Sequence, residues 1–205
     1  MITHGRVVVG VTGASGAPYA ARLVRLLVDA DVEVHLAVTP LGRRLFNDEM
    51  DITAIDAESL GVSHRAARLV VHRDNDLGST IASGSLVHDG MVIVPCSSNT
   101  LGAIAGGTTT TLVQRAAAVV LKERRRLIIA HRESPLSPID IMNMDRLTQA
   151  GAIIAPLSPG FYMRPESLGD IVDFMVGKLA DLLGVPHTLK TRWKAAPAEG
   201  DTLPA

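Results

Sequence analysis

Apolar residues fall in short unbroken runs, and longer amphipathic stretches separate them. The runs predict strands over residues 7–12, 32–38, 69–72, 91–95, 127–130 and 153–155. The amphipathic stretches predict helices over 17–29, 41–49, 111–123, 139–149 and 168–183. Strands without polar alternation suit a parallel sheet covered on both faces. Regular alternation of strand and helix implies right-handed crossovers. The expected fold is α/β: a three-layer α/β/α sandwich on a Rossmann-like or flavodoxin-like parallel sheet, in a single domain. That domain is expected over residues 1–187, followed by a C-terminal segment, 188–205, that is partly mobile at its end. The stretch 74–90 is rich in Ser, Gly and Asp and reads as a loop. No internal repeat is visible.

Composition narrows the function classes. The chain has 205 residues, 47% of them hydrophobic, which is enough for a real core. A formal net charge of −1 gives no broad attraction to nucleic acid, and 3% aromatic residues give no base-stacking platform. The single cysteine, Cys96, excludes an intrachain disulfide and a thiolate metal cage, and fits a reducing compartment. The seven histidines are scattered without metal-ligand spacing, so no metal is expected. The N-terminus lacks an apolar signal core, and no apolar run is long enough to span a bilayer. A cytoplasmic protein with no membrane partner is expected.

The candidate chemistry sits at strand ends, where open α/β sheets bind ligands. After the first strand comes Gly10-Val11-Thr12-Gly13-Ala14-Ser15-Gly16. A strand that breaks into glycines and opens a helix offers backbone N–H groups and the helix dipole to a phosphate. The glycines stand at the first, fourth and seventh positions, not the first, third and sixth of the dinucleotide fingerprint. A phosphorylated ligand other than NAD is expected. After the fourth strand comes Pro95-Cys96-Ser97-Ser98-Asn99-Thr100. This segment reads either as a helix N-cap or as a polar cradle for a phosphate or a ring edge. After the fifth comes His131-Arg132-Glu133-Ser134-Pro135, and after the sixth Pro159-Gly160-Phe161-Tyr162.

Other residues read more plainly. Arg115 and Lys122 lie two helical turns apart and share one helix face, which for a lone helix means two solvated cations. Arg124, Arg125 and Arg126 complement a helix C-terminus and are given no catalytic role. Cys96 is read as a small buried side chain with no His nearby in sequence. Arg132 and Glu133 face opposite sides of an extended chain, so one can meet a ligand phosphate. A carboxylic acid beside that phosphate can stay protonated and donate a proton.

Taken together, the loop at 10–16, Pro95-Cys96-Ser97, Leu121-Lys122-Glu123-Arg124-Arg125, Arg132-Glu133-Ser134-Pro135-Leu136-Ser137 and Pro159-Gly160-Phe161-Tyr162 resemble the UbiX-type flavin prenyltransferases. The likeness runs from about Val7 to Trp193. That family belongs to a wider flavoprotein group that includes flavin-dependent cysteine decarboxylases. The resemblance implies a metal-independent transferase. A dimethylallyl group passes from dimethylallyl phosphate to N5 and C6 of reduced FMN, and the prenylated FMN serves a UbiD-type decarboxylase. It also implies a homo-oligomer, typically a dodecamer, with sites at subunit contacts.

Carried across by position, Gly13, Ala14, Ser15, Thr39, Ser97, Ser98, Asn99, Thr100, Arg115 and Arg132 are implied as FMN-binding residues. Lys122, Arg132, Tyr162 and Lys178 are implied around the donor phosphate, with Trp193 covering the pocket. Glu133 is implied as the acid–base residue, with Glu49 and Ser15 beside it. Lys178 stands where an arginine is common, keeping the charge without the bidentate fork. The run Thr108-Thr109-Thr110-Thr111, His131 and Ser134 also depart from the expected pattern. The competing readings are a flavin-dependent decarboxylase of cysteine-like carboxylates and a non-enzymatic flavin-binding module.

Overall fold

The computed structural model describes Thr3, residues 5–189 and Thr191. The expectations for Trp193 and for a mobile tail therefore fall outside the described residues. Six strands form one parallel sheet in the order β3-β2-β1-β4-β5-β6. They are β1 (Arg6–Val11), β2 (Glu33–Val38), β3 (Leu69–His72), β4 (Gly90–Cys96), β5 (Leu127–His131) and β6 (Ile153–Ile154). Between them run α1 (Ala17–Asp29), α2 (Pro40–Met50), α3 (Ser98–Ala105), α4 (Leu112–Lys122) and α5 (Pro138–Gln149), with α6 (Leu168–Leu183) closing the fold. The strand order reverses between β1 and β4, creating the crevice at which doubly wound sheets take ligands.

The alternation of side chains along each strand sorts the core into two layers. Val7, Val9, Val11, Leu36, Val92, Val94 and Ile128 pack under α1 and α6. Val8, Met91, Ile93, Leu127 and Ile129 pack under α3 and α4 on the other face. Both sets are apolar, which explains why these strands carry no polar alternation. The edge strand β3 is the exception, with Val70 and Val71 part-exposed.

Local signals set the helix starts. Thr39 Oγ1 accepts from the Gly42 N–H at 3.1 Å and caps α2, with Pro40 in the first turn. Ser137 and Asp140 form a capping box on α5, and Thr111 and Gln114 one on α4. Helix α3 starts at Ser98, earlier than its apolar residues suggest, because Ser97 caps it. The expected loop at 74–90 contains one short 3-10 turn, Thr80–Ala82.

Candidate functional site

The carboxyl ends of β1, β4 and β5 are tied together at the crevice. The Thr12 hydroxyl donates to the Pro95 carbonyl at 3.0 Å, and the Ser97 N–H donates back to Thr12 Oγ1 at 2.9 Å. Arg132 follows β5, and its Nε donates to the Ser15 carbonyl at 3.1 Å. Residues 117 positions apart are thereby brought to one corner. Glu133, next along, is exposed there, and its carboxylate accepts the neighbouring Ser134 N–H at 3.0 Å. The loop at 13–15, the segment at 97–100 and the Arg132-Glu133 pair meet at the switch point, as their strand-end positions predict.

The glycine loop differs in one respect from a phosphate cradle. Its free helix-start amides are already occupied. Glu49, on the last turn of α2, accepts from Gly16 N–H at 3.0 Å and from Ala17 N–H at 2.8 Å. The anion at the α1 N-terminus is the chain's own carboxylate. Gly16 sits at φ +131°, a conformation open to glycine. At Gly13 a Cβ would lie 2.6 Å from the Leu41 Cβ, so the backbone passes too close to α2 for any side chain. Ala14 is buried, while Ser15 is exposed to the crevice.

The N-cap reading of the segment after β4 holds. Ser97 caps α3, and its hydroxyl also donates to Thr100 Oγ1 at 3.2 Å. Ser98 Oγ lies 3.1 Å from His131 Nε2, and Asn99 is exposed. Thr39, buried by its capping role, ends β2 next to the Gly13 loop. A cleft of about 570 Å³ adjoins Ser15 and Glu49, walled by Pro18, Tyr19, Leu168 and Val172.

Other expected residues stand apart within one chain. Arg115 and Lys122 do share a face, and with Ser79 and Thr109 they line a separate groove of about 540 Å³. Lys122 ends α4, near the amino end of β5, whereas Arg132 follows its carboxyl end. It pairs with Glu123 at 2.9 Å. A single chain therefore does not join Lys122 to Arg132 and Glu133. Tyr162 packs edge-on against Phe174, and its hydroxyl donates to the Thr191 carbonyl at 3.5 Å. Lys178 is exposed on α6.

Arg125 donates to the Leu86 and Gly84 carbonyls, consistent with a structural role. Cys96 is fully buried and burial pushes its thiol far up, so it supplies no thiolate. Its register partner in the sheet is His131, a neighbour that local sequence does not show. Among the described residues there is no grouping of His, Cys, Asp or Glu suited to a metal ion, and no helix long and apolar enough to cross a membrane.

Comparison with known proteins places this geometry. The flavoprotein family model matches residues 1–180. A flavin prenyltransferase UbiX from Halalkalibacterium halodurans is 43% identical over 195 residues, covering 94% of this chain and 95% of the relative. The crystal structure of AnUbiX in complex with FMN and dimethylallyl pyrophosphate superposes with a TM-score of 0.85 at 38% identity, over 93% of this chain and 97% of that one. A dodecameric FMN-dependent UbiX-like decarboxylase from Escherichia coli O157:H7 superposes with a TM-score of 0.83 at 38% identity, over 93% of this chain and 100% of the other. Fold, crevice and sequence agree: the chain belongs to the flavoprotein family, among the UbiX-type flavin prenyltransferases.

Proposed function

We propose that this chain transfers a dimethylallyl group from dimethylallyl phosphate to N5 and C6 of reduced FMN. The observation that carries the reading is the Arg132–Ser15 contact, which brings the Arg132-Glu133 pair to the loop after β1 at the switch point. FMN, the flavin being alkylated, suits the residues present. Ser15 is exposed at the crevice, and Ser97, Ser98, Asn99 and Thr100 supply hydroxyl and amide groups across from it. Gly13, Ala14, Ser15, Thr39 and Arg132 complete that wall.

As the allylic carbon–oxygen bond breaks, phosphate leaves with the electron pair. Cations that meet this growing charge lower the barrier. The Arg132 and Lys178 cations are proposed for that task, with the neutral Tyr162 hydroxyl as a hydrogen-bond donor to the same phosphate and Glu133 for proton transfer at the phosphate and the alkylated ring. The apolar wall by Ser15 suits a five-carbon hydrocarbon.

Lys122 and Arg115 lie in a different groove of the same chain, so they serve the site only if a second copy presents them. Exposed Leu136, Ile139, Ile141, Met142 and Phe161 give a copy apolar surface to cover. We therefore propose a homo-oligomer, a dodecamer like the E. coli neighbour. The flavin-binding domain is taken as residues 1–187, the location as the cytoplasm, and the recipient of the product as a UbiD-type decarboxylase. A PPC decarboxylase is 22% identical to this chain and shares the fold alone.

Anaerobic incubation of the protein with reduced FMN and dimethylallyl monophosphate, and separately with the pyrophosphate, tests the reading. A heavier flavin in either arm supports it and identifies the donor. Unaltered FMN in both would overturn it.

A further inference from the structure

Ser79, which lines the groove of Arg115 and Lys122, ends a chain of polar side chains that the transfer step does not use. Arg6 on β1 donates to the Glu33 carboxylate through Nε at 2.7 Å and Nη2 at 3.3 Å. That contact, chiefly, holds the Glu33 pKa at about 2, so the group is a carboxylate at neutral pH. Glu33 Oε1 lies 2.6 Å from His35 Nε2. His35 Nδ1 on β2 lies 2.8 Å from His72 Nε2 on β3, and His72 Nδ1 lies 2.7 Å from Ser79 Oγ. His35 and Ser79 are both buried. Asp76, in the loop after β3, and His88, ahead of β4, also act on the pair.

The carboxylate fixes the direction of every proton along this chain. It accepts only, so His35 donates from Nε2. At 2.8 Å, one proton lies between His35 Nδ1 and His72 Nε2. With both rings neutral, those two positions use up both ring protons. His72 Nδ1 is then bare, and Ser79 donates to it. With one added proton, on whichever ring, His72 Nδ1 carries an N–H and Ser79 accepts. The Ser79 proton is then released to the groove. Burial, chiefly, and His35 lower the His72 pKa, which favours the neutral pair while the groove is empty. We propose that a phosphate dianion held in the groove by Arg115 and Lys122 draws one proton onto the His35–His72 pair and accepts a hydrogen bond from Ser79. A dianion has no proton to give, so it is served by Ser79 as donor and opposed by Ser79 as acceptor. By reciprocity, a proton on the pair tightens anion binding by the same factor. Ser79 touches the ligand, whereas His72 and His35 act through it and are positioning residues. The inference rests on Arg115 and Lys122 meeting a ligand phosphate, as proposed above.

Inorganic sulfate is the probe, because it is a dianion that does not titrate near neutral pH. Any proton taken up on binding therefore goes to the protein. Calorimetry in two buffers of different ionisation enthalpy counts protons bound per sulfate. The wild type should take up a proton, and its sulfate affinity should fall about tenfold from about pH 6 to about pH 8. Ser79→Ala removes the hydroxyl that links anion to pair. In His72→Asn a neutral amide donates to Ser79 without titrating. Both variants should bind sulfate without proton uptake, with affinities constant to about twofold over the same range. Sulfate bound by the wild type without proton uptake, or uptake that persists in both variants, would overturn the proposal. Lys122→Ala and Arg115→Ala should weaken sulfate binding, and FMN or dimethylallyl phosphate, whichever supplies the phosphate, should displace the sulfate. Unchanged binding in both of those variants, or displacement by neither compound, would instead overturn the reading of the groove on which the proposal rests.

Discussion

The Glu49 carboxylate accepts from the Ala17 N–H at 2.8 Å, so the last turn of α2 caps the first turn of α1. This contact locks the loop at 13–16 between two helices. Replacing Glu49 by Ala leaves the Gly16 and Ala17 amides without their acceptor. The expected loss is about 1–2 kcal/mol of stability, the range for an N-cap deletion. Glu49→Gln keeps an oxygen acceptor and should lose less. Urea midpoints for the three proteins check the order; equal midpoints would show that the contact carries no stability.

Gly13 makes a sharper prediction about the flavin wall. In Gly13→Ala the new Cβ meets the Leu41 Cβ at 2.6 Å, and backbone must shift. Overpacking of this kind costs about 1–3 kcal/mol, and the displaced loop should bind FMN at least roughly tenfold more weakly. Leu41→Ala should not rescue it, because alanine retains the clashing Cβ. Fluorescence titration with FMN reads both variants.

Stability should fall with acid in two stages. Burial, chiefly, holds the His88 pKa down at about 4 and lowers that of His72, and both groups titrate near 6.5 once unfolded. Below that value the unfolded chain binds protons that the folded chain refuses, so stability drops as pH falls. For His88 the loss reaches on the order of 3 kcal/mol at pH 4. Glu33 adds the second stage. Its bond to Arg6, at 2.7 Å, holds its pKa at about 2, so its contribution is present above 4.5 and disappears as pH falls toward 2. Urea midpoints from pH 7.5 to 3 should show both declines, and His88→Gln should remove most of the first.

The resemblance to the prenyltransferases implies an arginine at the position of Lys178. If it meets the donor phosphate, Lys178→Arg restores a two-pronged contact and should lower the donor KM on the order of threefold. An unchanged KM would place Lys178 outside the donor site.

The sheet, its two-sided burial and the meeting of the segments after β1, β4 and β5 were legible because each rests on local periodicity. The start of α3 was less so: Gly102 and the hydroxyl-rich turn mask an eight-residue helix that Ser97 caps. Glu49 as the cap of α1 was not legible, since donor and acceptor are 32 residues apart and meet only through α1–α2 packing. Likewise, the contact between His131 and Ser98 was not legible, because the two residues lie 33 positions apart on different elements. The Lys122 position follows from helix direction. A residue at the end of α4 lies at the amino edge of the sheet, so motif order alone could not join it to Arg132.

The most direct test of the central claim is to count phosphate and modified flavin in one anaerobic reaction with reduced FMN and dimethylallyl phosphate. The account predicts one phosphate released for each prenylated flavin, with both absent in Glu133→Gln. Phosphate released while FMN stays unaltered, or full turnover by Glu133→Gln, would contradict it.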